Sequence, residues 1–148
     1  MERNKIFLDT SILITALLSF RGGSFYILNN LKDKFRFQIN KFVLEETLKV
    51  LDEKFYQRKE LKDRLFILIG LAKIEILSNP SKVLLKKLSP KIINKEDAPI
   101  LAGALERSNF LLTLDKDFLN EKVKEFVESR NLLICTPKEF LVKFKNNL

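Results

Sequence analysis

The segment DAPILAGALERSNFLLTLDKDF, residues 97–118, carries the pattern that decides the fold. An N-cap carboxylate at Asp97 and a proline in the first turn, Pro99, predict a helix over residues 97–107, and the run Phe110–Leu112 predicts a short buried strand. Two acids, Asp115 and Asp117, follow that strand almost at once. A helix that leads into a buried strand and then into an acidic turn is typical of proteins in which helices and strands alternate.

The rest of the chain continues this alternation. Strands separated by helices connect through right-handed crossovers, which give a parallel sheet covered by helices on both faces. We predict further strands at Lys5–Leu8, Phe35–Ile39, Lys73–Leu77 and Leu132–Ile134, and further helices at Ile12–Leu18, Ser24–Leu31, Phe42–Phe55, Arg58–Ala72, Val83–Leu88, Asp117–Arg130 and Pro137–Phe144.

Length and composition predict a single domain over residues 1–148. Of the 148 residues, 46% are hydrophobic, which is enough for a sizeable core. Lysine and arginine exceed aspartate and glutamate by 27 to 19, a formal charge of +8, so nucleic acid is the leading partner class. A solvated lysine-rich surface is the alternative, and the basic residues are too dispersed along the sequence to define an RNA groove.

The cysteine and histidine content limits the kinds of catalytic and metal site that the chain can form. Cys135 is the only cysteine and histidine is absent, which excludes intramolecular disulfides, cysteine metal clusters and Ser-His-Asp or Cys-His catalysis. Carboxylates remain as the obvious catalytic groups. The apolar run Ile12–Leu18 lacks the flanks of a secretion signal, and no run approaches the roughly 18 apolar residues of a membrane span. We therefore expect a cytoplasmic protein without a membrane partner.

Four acids lie at predicted strand ends or helix starts. Asp9 follows the first strand, Asp97 opens a helix, and Asp115 and Asp117 follow the strand Phe110–Leu112. Ligands of parallel sheets bind beyond the carboxyl ends of the strands, so we expect these acids to converge there. In an extended segment residues i and i+2 share a face, which would point Asp117 the same way as Asp115.

The charge repulsion within such a cluster of acids has to be offset. Two like charges about 4 Å apart repel by roughly 4 kcal/mol at an effective dielectric near 20. Protonation, arginine or divalent cations could offset this repulsion. Oxygen ligands without histidine or cysteine favour Mg²⁺ or Mn²⁺ over Zn²⁺, and two such ions would balance four acids and support phosphodiester hydrolysis. Together with the positive surface, this indicates a nuclease.

Each acid also has a simpler interpretation. Asp9 and Asp97 could be helix caps, whose carboxylates accept backbone N–H groups. Asp117 could cap the helix that follows it, and Asp115 could be an ordinary turn residue. The joint placement of the acids is more informative than any one of them.

Four segments, in order, resemble the signature segments of PIN-domain ribonucleases, the family that includes the VapC-type toxins of toxin–antitoxin pairs. They are IFLDTSILITALLS, FVLEETLKVL, DAPILAGALERSNFLLTLDKDF and ICTPKEFL, and together they span nearly the whole chain. The resemblance implies a three-layer α/β/α sandwich and a Mg²⁺- or Mn²⁺-dependent endoribonuclease, often a homodimer, with an RNA substrate and, for a toxin, an antitoxin partner.

The resemblance also implies roles for individual residues. According to the resemblance, the catalytic and metal-binding acids are Asp9, Glu46, Asp97 and Asp115. Asp117 is a further metal ligand, and Ser11 and Thr113 are supporting residues. The helix acid has two candidates, because a helical wheel favours Glu45, beside the leucine stripe, whereas the motif favours Glu46. We choose Glu46 and keep Glu45 as the alternative; both could also simply solvate the helix and pair with Lys49.

Three positions depart from the family pattern. Many relatives have asparagine where Ser11 stands and glycine where Leu114 stands, and some have an acid at the position of Asn94. A hydroxyl at Ser11 can still hold a water, so we expect activity, whereas the missing outer acid should weaken metal affinity. The competing hypothesis is an inactive RNA-binding or assembly module that keeps the fold. A third hypothesis is a receiver-like or phosphatase domain. A receiver needs a suitably placed lysine, and no lysine of this sequence aligns with that position.

Overall fold

The computed structural model of the protein describes residues 3–144; the two ends of the predicted domain, residues 1–2 and 145–148, lie outside the described part. Five strands alternate with helices, as predicted. The strands are β1 (Asn4–Leu8), β2 (Phe35–Asn40), β3 (Glu75–Leu77), β4 (Phe110–Leu112) and β5 (Leu133–Cys135). The helices are α1 (Thr10–Leu18), α2 (Gly23–Asn30), α3 (Lys41–Lys54), α4 (Glu60–Leu71), α5 (Lys82–Leu88), α6 (Ala98–Arg107), α7 (Glu121–Glu128) and α8 (Pro137–Lys143).

The strands form one parallel sheet in the order β3-β2-β1-β4-β5. After β1 the chain adds β2 and β3 on one side, and then β4 and β5 on the other. Such a reversal opens a crevice at the carboxyl ends of the two strands where it occurs. These strands are β1 and β4, whose last residues, Leu8 and Leu112, are register partners. The loops that begin at Asp9 and Thr113 therefore start side by side.

Helices cover both faces of the sheet, which confirms the predicted three-layer α/β/α sandwich. On one face, Phe35 and Phe110 pack edge-on against Phe140 of α8, with ring centroids 5.1 and 5.6 Å away. The strand alternation sends Phe7 to the other face, where it meets α6 at Gly103. The phenylalanine-rich composition thus supplies both layers of the core.

Helix α6 approaches the sheet closely at Gly103. A Cβ atom there would lie 2.6 Å from Asn40 Nδ2 and 2.8 Å from the Phe7 ring. The buried Asn40 side chain donates to the Pro99 carbonyl oxygen at 3.0 Å and accepts from the Val43 N–H at 3.0 Å. Asn40 therefore ties the end of β2 and the start of α3 to the first turn of α6, which carries one of the predicted site acids at its start.

Most predicted boundaries lie within two residues of the observed ones, and two differences have clear physical causes. Lys73 adopts a left-handed φ of 55° at the end of α4, so the strand predicted from that residue begins only at Glu75. Ser24, at the start of the predicted helix, does not cap α2, which begins at Gly23 and has Gly22 as its N-cap. The buried Ser24 hydroxyl is instead hydrogen-bonded to that of Thr15, at 2.8 Å.

None of the helices within residues 3–144 is by itself long and apolar enough to cross a bilayer. Helices α1 and α2 reach the required length and composition only as a pair, with a bend of 95° between them.

Candidate metal and catalytic site

Three acids from two separate segments meet beyond the carboxyl end of β4. Asp97, Asp115 and Asp117 each offer a carboxylate oxygen, and these oxygens lie within 4.8 Å of one another. Asp97 immediately precedes α6, whereas the other two lie in the loop after β4. Asp97 and Asp115 are half-buried and Asp117 is exposed. The convergence expected for these three acids is therefore present, and we call them the aspartate cluster.

Asp115 and Asp117 come together through a turn, so the expectation of an extended segment is wrong. The Asp117 N–H donates to Asp115 Oδ1 at 2.9 Å, and the Phe118 N–H donates to the Asp115 carbonyl oxygen at 3.1 Å. The fully buried Phe118 side chain anchors this turn in the core. The prediction that a helix starts at Asp117 is also wrong, because α7 begins at Glu121 and its N-cap is Asn120.

Asp97 occupies an N-cap position, but its side chain makes no capping hydrogen bond, so the helix-cap interpretation of this acid is wrong. Asp97 Oδ2 accepts instead from Asn94 Nδ2 at 2.7 Å, and the Asp97 N–H donates to Asn94 Oδ1 at 2.9 Å. The same Asn94 amide donates to Asp117 Oδ2 at 3.4 Å. One neutral side chain thus bridges two acids of the aspartate cluster.

Asn94 was not among the predicted site residues. The available signal was its position three residues before Asp97. An amide at that position supplies a hydrogen-bond donor, which a carboxylate cannot do without taking up a proton.

The electrostatics of the aspartate cluster favour a cation. Burial raises the pKa of Asp97 to about 6, and the nearby charges of Asp115 and Asp117 act in the same direction, while the hydrogen bond from Asn94 opposes them. A carboxylate with a raised pKa among other carboxylates gains when a positive charge binds.

Asp9 is buried beside the cluster, with only 3% of its surface exposed. It is the N-cap residue of α1 but makes no capping hydrogen bond, so the cap interpretation is wrong here too. Its Oδ2 atom accepts from Thr113 Oγ1 at 2.6 Å and from Ser11 Oγ at 2.9 Å. Burial raises the pKa of Asp9, these two hydrogen bonds lower it, and the charge of Asp115 raises it further.

The two predicted supporting residues join the loops after β1 and β4. Thr113 Oγ1 accepts from the Asp115 N–H at 3.0 Å while donating to Asp9. Ser11 Oγ accepts from the Leu114 N–H at 3.1 Å while donating to the same carboxylate. Each hydroxyl therefore fixes Asp9 relative to the loop that carries Asp115 and Asp117.

The two candidate helix acids differ in where they point. Glu46 is half-buried and accepts a hydrogen bond from the hydroxyl of Thr10, the residue after Asp9, whereas Glu45 is exposed. Neither belongs to the aspartate cluster. Thr10 was not singled out from the sequence, because a threonine in the first turn of a helix is common and its partner lies 36 residues away.

The helical-wheel argument for Glu45 fails because the buried face of α3 is not the leucine stripe alone. The fully buried residues of α3 are Val43, Thr47 and Leu51. Thr47 has a polar side chain but is buried, because its hydroxyl donates to the Val43 carbonyl oxygen at 2.8 Å. Glu46 lies next to this face, which brings it to α1.

No protein-family model and no curated protein sequence matches the chain. Solved structures do match. VapBC2 from Rickettsia felis, bound to a DNA fragment from its promoter, aligns with a TM-score of 0.64 and 23% identity over 89% of this chain and 98% of that chain. PAE2754 from Pyrobaculum aerophilum aligns with a TM-score of 0.67 and 17% identity over 98% and 99% of the two chains.

The chain has a VapC-like PIN-domain fold. At these identities the likeness concerns the fold alone. The aspartate cluster lies at the reversal of strand order, where parallel sheets bind ligands. Its carboxylate oxygens are the ligand type that Mg²⁺ and Mn²⁺ prefer, so the cluster could hold a divalent ion.

Proposed function

We propose that the protein is a Mg²⁺- or Mn²⁺-dependent endoribonuclease. The observation that supports this most directly is the aspartate cluster, whose oxygens lie within 4.8 Å of one another at the edge of the sheet, beside the buried carboxylate of Asp9. The VapC-like fold and the net charge of +8 favour an RNA substrate over a small anion.

Each acid has a role in this proposal. Asp97, Asp115 and Asp117 would hold the divalent ions, and the buried Asp9 would add its negative charge to the site. Thr113 and Ser11 position Asp9 through their hydroxyl groups. When bound, divalent ions would supply Lewis acidity that activates a water and stabilises the leaving oxygen of the phosphodiester.

Glu46 is the proposed fifth acid of the site. Its hydrogen bond to Thr10 places it against the loop that carries Asp9, while Glu45 stays exposed. Glu46 would attract the metal and its water from the α3 side, with Glu45 as the reserve candidate.

The biological role we propose is that of a toxin in a toxin–antitoxin pair. It is supported by the structural likeness to VapBC2, a complex bound to promoter DNA. In this role the chain acts in the cytoplasm as a single-domain protein, forms a homodimer and is neutralised by an antitoxin protein. Expression alone should arrest growth unless that antitoxin is supplied, and harmless expression of a demonstrably active enzyme would refute the toxin role.

The deciding experiment is the substitution Asp9→Asn, assayed for Mg²⁺- and Mn²⁺-dependent cleavage of a labelled single-stranded RNA. Asparagine keeps an oxygen to accept from Thr113 and Ser11 but removes the charge, so cleavage should fall to background while the protein still folds. Thermal unfolding in EDTA is the control: burial raises the pKa of Asp9, so removing its charge should leave the metal-free protein at least as stable at neutral pH.

Full activity of the Asp9→Asn variant would refute the assigned site. If the wild-type protein binds RNA but never cleaves it with either metal, the inactive RNA-binding module replaces the nuclease proposal.

A further inference from the structure

A cavity of about 800 Å³ opens between α3, α5 and the start of α6. Its lining includes Phe42, Lys49, Leu85, Lys95 and Pro99, together with Glu46 and Ala98 from the two elements that carry site acids. The volume lies within the range of roughly 300–1,000 Å³ that is usual for ligand sites. We call this cavity the side groove.

Three lysines from three separate segments line the side groove. Lys49 comes from α3, Lys86 from α5 and Lys95 from the loop before α6. Glu45, Glu46 and Glu96 line the same cavity, so the lining holds three lysines and three glutamates. All three lysines are exposed, and within residues 3–144 none makes an ion pair or a side-chain hydrogen bond. Their ammonium groups are therefore available to an anionic ligand.

The lining between the lysines is mainly apolar. The half-buried side chains of Phe42, Leu85 and Pro99 and the buried Ala98 form it. Flat apolar and aromatic surface flanked by cations is suited to a nucleotide, because a base can stack on the apolar part while its phosphates meet the cations.

The side groove is lined by residues next to the candidate site, although Asp97, Asp115 and Asp117 are not part of its lining. Glu46 lines the groove and accepts from Thr10 beside Asp9, and Glu96 and Ala98 of the lining flank Asp97 in sequence. A strand whose phosphodiester lay at the aspartate cluster would therefore have the side groove as its neighbouring site.

We propose that the side groove binds the nucleotide next to the scissile phosphate of a single-stranded RNA, with Lys49, Lys86 and Lys95 contacting phosphates and Phe42 contacting a base. This inference rests on the proposed endoribonuclease function and names where its substrate lies. The three lysines are separated by up to 46 positions in the sequence, and the fold brings them to one cavity.

The test measures RNA binding by the fluorescence anisotropy of a labelled ten-nucleotide RNA. It is done in EDTA, where metal-dependent cleavage cannot occur. The variant carries Lys49→Ala, Lys86→Ala and Lys95→Ala together. Its matched control carries Lys54→Ala, Lys122→Ala and Lys143→Ala, three exposed lysines with the same total charge that do not line the side groove. We expect the groove variant to lose at least about tenfold in affinity, and its salt slope to fall by about 2, whereas the control stays near wild type.

A second variant, Phe42→Leu, separates base contact from phosphate contact. Leucine keeps most of the packing volume but not the aromatic face. Affinity should fall several-fold with an unchanged salt slope, and thermal unfolding checks that the variant folds. Unchanged binding by Phe42→Leu would remove the base contact from the proposal.

The outcomes separate this inference from the nuclease proposal. If the groove variant binds RNA as tightly as the control, the side-groove proposal is wrong even if the enzyme cleaves RNA. If the groove variant loses binding while wild type never cleaves with Mg²⁺ or Mn²⁺, the groove stands and the nuclease proposal fails. If wild type does not bind RNA, or poly-glutamate displaces RNA at equal charge concentration, the groove is not an RNA site.

Discussion

Asn94 shows how one residue can organise a charged site. Its amide donates to Asp97 and Asp117, so it holds two like charges together with a neutral group. Replacing it with alanine should weaken Mn²⁺ binding by about tenfold, as is usual when a partner that orients a metal ligand is removed. Replacing it with aspartate should strengthen Mn²⁺ binding but lower the stability of the metal-free protein, because it adds a fourth carboxylate to the cluster.

Calorimetric titration with Mn²⁺ measures both effects. Asn30→Ala, at an exposed position on α2, is the matched control and should bind Mn²⁺ as wild type does. Equal affinities for wild type, Asn94→Ala and Asn94→Asp would show that Asn94 does not position the aspartate cluster.

The raised pKa of Asp97 predicts that the stability of the metal-free protein depends on pH. The pKa of this residue is raised from 3.8 to about 6, chiefly by burial, so between these values the native state holds a proton that the unfolded chain has released. The free energy of unfolding should therefore decrease as pH rises from about 4 through 6 because of this group. Asp97→Asn should make that decrease shallower, as measured by urea unfolding in EDTA at several pH values; parallel curves for the two proteins would contradict the assigned pKa.

Residue-scale features were partly accessible from the sequence. The positions of Asp9 and Asp115 after strands and of Asp97 before a helix followed from local patterns, whereas the predicted helix start at Asp117 was wrong. The hydrogen bonds of these acids did not follow from local patterns, because Thr113 reaches Asp9 across 104 positions of sequence.

At the scale of elements, the contact of α6 with the sheet depends on Gly103. In Gly103→Ala the new methyl group would overlap Asn40 and the Phe7 ring, both in the buried core, so we expect a loss of about 1–3 kcal/mol in the free energy of unfolding. The shift of α6 would also displace Asp97, so Mn²⁺ affinity should fall with stability.

Gly70→Ala is the matched control for that substitution. It is also a helical glycine, in α4, but a Cβ there would meet nothing within 4 Å. Alanine has the better helix propensity by about 1 kcal/mol, so this variant should be more stable than wild type in urea unfolding. If both alanine variants changed stability in the same direction, the close packing at Gly103 would not be the cause.

Element types were predictable because each segment carries its own periodicity. The strand Phe110–Leu112 was predicted with its observed bounds. The start of α7 was not, because Asp117 and Asn120 are both good capping residues and the choice depends on how Phe118 enters the core.

At the scale of the whole molecule, a divalent ion should stabilise the native state through the aspartate cluster. At a Mn²⁺ concentration about 100 times the dissociation constant, the gain is about 2.7 kcal/mol, which for a chain of this size corresponds to a rise in Tm of roughly 5–10 °C. The measurement is thermal unfolding across a Mn²⁺ titration, with KCl at matched ionic strength as the control.

Asp115→Asn should abolish most of that rise. An equal rise for wild type and Asp115→Asn would mean that the ion acts elsewhere on the protein, and the aspartate cluster would no longer support a metal-dependent reaction.

The sequence by itself determined the alternation of strands and helices, the parallel sheet and its two-sided hydrophobic core, because these follow from the local spacing of apolar residues and from the handedness of crossovers. The resemblance in its four segments pointed to the PIN fold.

Tertiary structure alone decided which side chains meet. It brings Glu46 rather than Glu45 to Thr10, makes Asn94 a bridge between two acids, and gathers Lys49, Lys86 and Lys95 around one cavity. Such meetings depend on how distant segments pack and on the direction in which each side chain leaves its backbone. Neither quantity is encoded in the spacing of residues along a single segment.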